Sequence, residues 1–158
     1  MTGKVINVVV AGLGGQGVLT AAEIVAAAAF NAGLDVKKSE VHGMSQRGGS
    51  VACDVRFGQG VYSPMVTPGE ADFLVVLSAD QVDVNRRFIK PGGAIITPDD
   101  IDENLLADKR GLNVALMAAL SRRLDIDESH WIAAIKASLN PRLHEANVRM
   151  FQAIRAAE

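Results

Sequence analysis

The sequence is poor in the residues that build staples, metal sites and aromatic cores. Its 158 residues include one cysteine, Cys53, which excludes a disulfide framework, a cysteine zinc knuckle and a four-thiolate iron–sulfur site. One tryptophan, one tyrosine and five phenylalanines leave the core to Val, Ile, Leu and Ala. Neither sign of charge dominates. Sixteen Lys and Arg stand against eighteen Asp and Glu, for a net charge of −2, so there is no basic footprint for nucleic acid or an anionic membrane. The apolar runs are short and broken by glycine or polar residues, and none reads as a membrane span. Met1-Thr2-Gly3-Lys4 leads straight into a strand pattern without a signal-type apolar block, so the expectation is a cytoplasmic protein.

What the chain does have is 49% hydrophobic residues and fifteen glycines. A chain of this length predicts one domain, residues 1–158, able to bury about 68–70% of its unfolded surface. Val5 to Ala11 is a β-branched run of buried-strand length. It ends in Gly12-Leu13-Gly14-Gly15-Gln16-Gly17, and Val18 to Ala32 then reads as an unbroken helix stopped by Gly33. A second strand, Leu34 to Ser39, completes a βαβ unit whose two strands run parallel.

The next stretch departs from a dinucleotide-binding half, which would place a second helix here. Glu40 to Gly49 is instead an unperiodic, glycine-bearing loop leading into the alternating strand Ser50 to Phe57. Gly58-Gln59-Gly60 predicts a hairpin turn into a strand Val61 to Ser63 that Pro64 ends. Further elements are a strand Ala71 to Leu77, a helix Gln81 to Ile89 capped by Ser78 or Asp80, and a strand Ala94 to Thr97 after a Pro91-Gly92-Gly93 turn. Asp99 to Gly111 is polar and carries no assignable period. Helical stripes follow around Asn113 to Leu124 and Trp131 to Leu139, and Asn140-Pro141 opens a last helix to about Ala156. The expected class is α/β: a Rossmann-like βαβ start, a mixed sheet with an inserted antiparallel hairpin, and a helical C-terminal third.

Gly12, Gly14, Gly15, Gln16 and Gly17 lie between a strand and a helix, where glycines let backbone N–H groups approach an anion. The same glycines also suit a tight turn or a seat for another protein's backbone. An acidic ribose partner belongs about 20 residues further on, near Asp35 and Glu40. The loop gathers Glu40, His42, Met44, Gln46 and Arg47 beside Gly48 and Gly49, a density that points to an interface or a ligand. Arg47 suits a carboxylate or phosphate clamp, or an ion pair with a partner's acid. His130 and His144 make no metal-ligand spacing. Asn113 and Asn147 sit on apolar stripes and read as buried amides bonded between elements. Cys53 reads as a small inward-facing hydrophobe.

Val8 to Thr20, followed by Ser39-Glu40-Val41-His42-Gly43-Met44-Ser45-Gln46-Arg47-Gly48-Gly49-Ser50-Val51, resembles the gamma-type domain of the 2-oxoacid:ferredoxin oxidoreductases. The second motif is most similar to the indolepyruvate branch. The resemblance extends to Ala71-Asp72, Pro91-Gly92-Gly93, Asn113 and Glu145-x-Asn147, and departs at Pro98 to Leu112, where relatives usually carry a longer stretch. It implies a subunit without catalytic residues in a complex that turns a 2-oxoacid, coenzyme A and oxidised ferredoxin into acyl-CoA, carbon dioxide and reduced ferredoxin. Thiamine diphosphate with Mg2+ and 4Fe-4S clusters would then sit on a large companion subunit. The loop residues would face that companion, and the glycine turn would meet coenzyme A phosphate or protein. A homodimer is a further association to be considered. The competing class is a free-standing nucleotide-binding or redox-sensing Rossmann-like protein.

Overall fold

The β-branched run near the start of the chain forms β1, Ile6–Leu13, in a computed structural model that describes residues 4–42, 49–106 and 108–157. Helix α1, Val18–Asn31, follows. Gly33 closes it: Gly33 N–H donates to Phe30 O at 3.0 Å and Leu34 N–H to Ala29 O at 3.1 Å, the paired bonds of a Schellman cap. The strands β2 (Asp35–His42), β3 (Ser50–Gly58), β4 (Ala71–Val76) and β5 (Ile89–Ile96) complete one sheet in the order β2-β3-β1-β4-β5. β3 runs antiparallel to both β1 and β2, whereas β1·β4 and β4·β5 are parallel. The sheet is therefore mixed, as expected, and β1 and β2 do run in the same direction. They are not neighbours, because β3 lies between them.

Period-2 alternation divides β1 between two cores. Ile6, Val8 and Val10 face the larger one, together with Cys53, Val55 and Phe57 of β3. Four helices build the rest of that layer: α1, α3 (Leu112–Ser121), α4 (Glu128–Ser138) and α5 (His144–Ala156). α1 buries Ala21, Ala22, Ala28 and Ala29 with Ile24 and Val25, small side chains that let the helix lie close to the sheet. α3 is buried from Asn113 to Ser121, as its all-round apolar sequence demands, and it packs against α1, α5 and β5. Trp131 and Phe151 join α4 to α5 with ring centroids 5.9 Å apart. On the other face, Val9, Ala11, Leu74 and Val76 form a smaller core capped by Val66, with Val82 of the single-turn helix α2 (Val82–Asn85) packed against it.

Several boundaries differ from the sequence reading. No strand forms at 61–63. Both edges of β3 are already taken by β1 and β2, so the antiparallel hairpin is β2–β3, and 61–70 lies over the smaller core instead. The helix expected at 81–89 is α2 alone, flanked by 3₁₀ turns at Ala79–Gln81 and Arg86–Phe88. Pro91-Gly92-Gly93 falls inside β5 as an irregularity in its pairing with β4. The unassigned stretch becomes three 3₁₀ turns, capped in sequence by the side chains of Thr97, Asp102 and Asp108. Among the described residues no helix is long and apolar enough to cross a membrane.

Candidate functional site: a glycine turn stitched to the β2–β3 connection

The glycine turn is fixed by its own backbone and by one side chain. Leu13 N–H donates to Gln16 Oε1 at 2.7 Å, and Gln16 N–H returns to Leu13 O at 3.2 Å. Gly17 is the N-cap of α1 in the left-handed region, φ 87° and ψ 28°, a conformation open to glycine at little cost. A methyl there would lie 2.5 Å from Asn113 Nδ2, and that amide donates to Gly17 O at 3.4 Å. No side chain caps α1, and its first turn holds no acid. The positive end of the helix is therefore left to whatever approaches it.

The second motif meets this turn through β3. Leu13 pairs with Ser50 and Gly12 with Val51, and Gly14 N–H donates to Gly49 O at 2.8 Å. His42, the last residue of β2, pairs with Val51, so the β2–β3 connection begins and ends at the glycine-turn end of the sheet. Ser50 Oγ donates to Gln81 Oε1 at 2.7 Å; Gln81 is a buried polar group that the sequence reading did not single out. Met44, Gln46, Arg47 and Gly48 lie outside the described residues.

A cleft of about 330 Å3 opens beside Gly15, Gln16 and Gly17, and Lys109, Arg110 and Asn113 also line it. The two cations come from the stretch that the sequence left unassigned. Asp108 caps its 3₁₀ turn by accepting Arg110 N–H at 2.9 Å, and its carboxylate also accepts from the Arg110 guanidinium at 2.9 Å. Those bonds hold the Asp108 carboxyl below the usual carboxylate range. The Asp-x-Arg pattern just ahead of a helix was the signal that could have found them.

The acids near the expected ribose position do not reach the turn. Asp35 begins β2 opposite Gly58, at the far end of the sheet. It accepts Val61 N–H at 2.9 Å and Lys37 Nζ at 3.3 Å, which hold its carboxyl below the ordinary value. Glu40 pairs with Cys53 on a strand that does not touch β1, and lies 3.9 Å from Lys38 Nζ. Asn147 proves half-buried and donates one turn back, to the O of Leu143 at the N-cap of its own helix, at 2.9 Å, not to another helix. His144 Nε2 lies 2.9 Å from Leu139 O, and Asn31 Nδ2 donates to His130 O at 3.1 Å. Among the described residues no group of three His, Cys, Asp or Glu could hold a metal ion.

Cys53 is fully buried, and burial, with Glu40 nearby, pushes its thiol up to about 11. Iron–sulfur clusters need several thiolates, so the residues of this chain do not fit one.

The chain is similar to known proteins in sequence and in fold. The family model for pyruvate ferredoxin/flavodoxin oxidoreductase matches residues 7–157. Indolepyruvate oxidoreductase subunit IorB of Thermococcus kodakarensis is 50% identical over 96 residues, which are 60% of this chain and 46% of that protein. The IorB subunit of Methanothermobacter thermautotrophicus is 28% identical over 185 aligned positions, covering 92% of this chain and 94% of its own length. The chain thus spans about half the length of the first curated relatives it matches. Among solved structures, the gamma subunit of keto/oxoacid ferredoxin oxidoreductase from Geobacter sulfurreducens superposes with a TM-score of 0.81 at 20% identity, covering 96% of this chain and 95% of that one. A 2-oxoglutarate:ferredoxin oxidoreductase from Magnetococcus marinus gives 0.80 at 22% identity, over 97% of this chain and 31% of that larger one. These two show the shared fold. With the family match spanning nearly its whole length, the chain belongs to the pyruvate ferredoxin/flavodoxin oxidoreductase family.

Proposed function

We propose that this chain is the gamma-type subunit of a cytoplasmic 2-oxoacid:ferredoxin oxidoreductase, with indolepyruvate or another aryl or branched 2-oxoacid as substrate. It holds no catalytic residue of its own. The observation that carries the reading is the Gly14–Gly49 hydrogen bond, which joins the two motifs into one surface at the end of the sheet. The IorB relatives, at 50% identity over 96 residues, support the aryl substrate class. In the assembled enzyme the companion subunit supplies thiamine diphosphate, Mg2+ and the 4Fe-4S clusters, and passes electrons to ferredoxin. Acyl-CoA and carbon dioxide are the products.

This chain's part is docking and positioning. The segment from Glu40 to Gly49 faces the companion, with Arg47 pairing to an acid or phosphate there. Lys109, Arg110 and the uncapped start of α1 offer a seat for a phosphate of coenzyme A; the Magnetococcus marinus structure was determined with coenzyme A and succinyl-CoA bound. Nothing in the geometry favours a free-standing dinucleotide binder, since neither Asp35 nor Glu40 reaches the glycine turn.

Arg47→Ala tests the reading. Its thermal stability should stay within roughly 0.5 kcal/mol of the parent. Assembly with the companion, or turnover of the reconstituted complex, should fall at least about tenfold, as expected when one desolvated charged contact is lost. A variant that unfolds makes the arginine a structural group. A variant matching the parent in both assays makes the loop a plain connector.

A further inference from the structure

We propose that a second cleft, between α1, α3 and α5, binds a short amphipathic monocarboxylate. It holds about 510 Å3, inside the range of roughly 300–1,000 Å3 common to small-molecule sites. Its floor is apolar: Val114 and Met150 are 1% and 5% exposed, with Leu139 beside them, and Leu143 stands at the rim 42% exposed. An apolar floor of this size favours an aryl or branched alkyl group.

The mouth supplies one unmatched positive charge. Arg110 is already engaged by Asp108, guanidinium to carboxylate at 2.9 Å. Arg142 lines the same mouth, and its guanidinium makes no hydrogen bond or ion pair with any described residue. The Thr20 hydroxyl, on the α1 wall, is likewise without a partner among the described residues. A carboxylate between them would gain a charge-assisted pair with Arg142 and a hydroxyl donor from Thr20. The neighbouring Asp108 carboxylate disfavours a multiply charged anion. The inference stands whether or not the glycine-turn cleft takes a coenzyme A phosphate, although Arg110 and Asn113 line both clefts.

The test titrates the 158-residue chain with 3-phenylpropionate, followed by calorimetry and amide NMR shifts. 3-Phenylpropionamide serves as the uncharged analogue and inorganic phosphate as the anion without an apolar group. Saturable binding with shifts at Val114, Leu143 and Met150 is expected, with the amide and Arg142→Gln each weakening it about tenfold or more. Ala146→Phe, at an exposed position that lines the cleft, should block binding while the melting curve stays cooperative. No saturable binding to the parent chain would overturn the proposal. So would unchanged affinity in the folded Arg142→Gln chain, equal affinity for the amide, or phosphate competing as well as the carboxylate does.

Discussion

The two faces of the sheet are covered by unequal means. On one, four helices bury Ile6, Val8, Val10, Val55 and Phe57 in an apolar layer. On the other, a loop and a one-turn helix cover Val9, Ala11, Leu74 and Val76, with Val66 as the loop's apolar contribution. Here side chains grip the loop by its backbone. Asp35 accepts Val61 N–H at 2.9 Å, Arg56 Nη1 donates to Ser63 O at 2.6 Å, and Asp54 accepts Val66 N–H at 2.9 Å. All three come from β2 and β3. The thick face holds the fold by burial, whereas the thin face is held by polar contacts and leaves Tyr62 and Met65 exposed.

The sharpest way to break this comparison is a pair of truncations. Leu116, fully buried in α3, should cost about 2–5 kcal/mol on Leu116→Ala. Val66→Ala should cost only about 1–2 kcal/mol, two methyl groups' worth of burial. Equal shifts in the urea midpoint would show that the thin face carries as much of the fold as the thick one.

The glycine turn, where the faces meet at the end of the sheet, gives a smaller contrast. Gly17→Ala forces a methyl to 2.5 Å from Asn113 Nδ2 at a φ of +87° and should lose about 1–3 kcal/mol. Gly15→Ala, at a φ of +90° with nothing within 4 Å, should lose about 1 kcal/mol from backbone strain alone. Thermal melts of both variants read the difference, and equal losses would remove Asn113 from the account.

The smallest effect concerns Asp54. Burial raises its carboxyl above the ordinary value, outweighing the Val66 N–H and Arg56, which lower it. A carboxyl whose folded value is raised favours the folded state below its unfolded pKa, and loses that stabilisation as pH rises through the folded value. Relative to the parent, Asp54→Asn should therefore gain stability between pH 4 and pH 7. Urea midpoints at the two pH values check it. A relative loss toward pH 7 would mean that the ionised carboxylate is the form the thin face prefers.

The sequence made some of this plain and hid the rest for definite reasons. β1, the glycine turn and α1 were legible because a β-branched run, a glycine cluster and an alanine-rich helix each signal locally. The hairpin was misplaced. Gly58-Gln59-Gly60 carries turn chemistry, but which strand fills an edge is a tertiary matter, and β1 and β2 had claimed both edges of β3. Glu40 to His42 looked like loop because pairing with β3, not periodicity, makes those residues strand. At the site, the hydrogen bond between Gly14 and Gly49 was not readable, because it follows from the pairing of β1 with β3. Lys109 and Arg110 stayed hidden in the last of three single-turn elements, each too short to show a period.

The position of β3 also governs the order in which the protein can assemble. β1 and β2 run parallel, yet they share no ladder; each finds a partner on that side of the sheet only in β3. A chain emerging from the ribosome therefore presents both strands, with α1 between them, before either can close an edge. Residues 50–58 tie both strands together at once, since their two antiparallel registers run along the same strand. Until they arrive, the Gly14 N–H has no Gly49 carbonyl beside it, and the glycine turn is a turn without a floor. The most local motif in the sequence thus waits for a non-local partner, which places its maturation late in folding, as non-local pairings are.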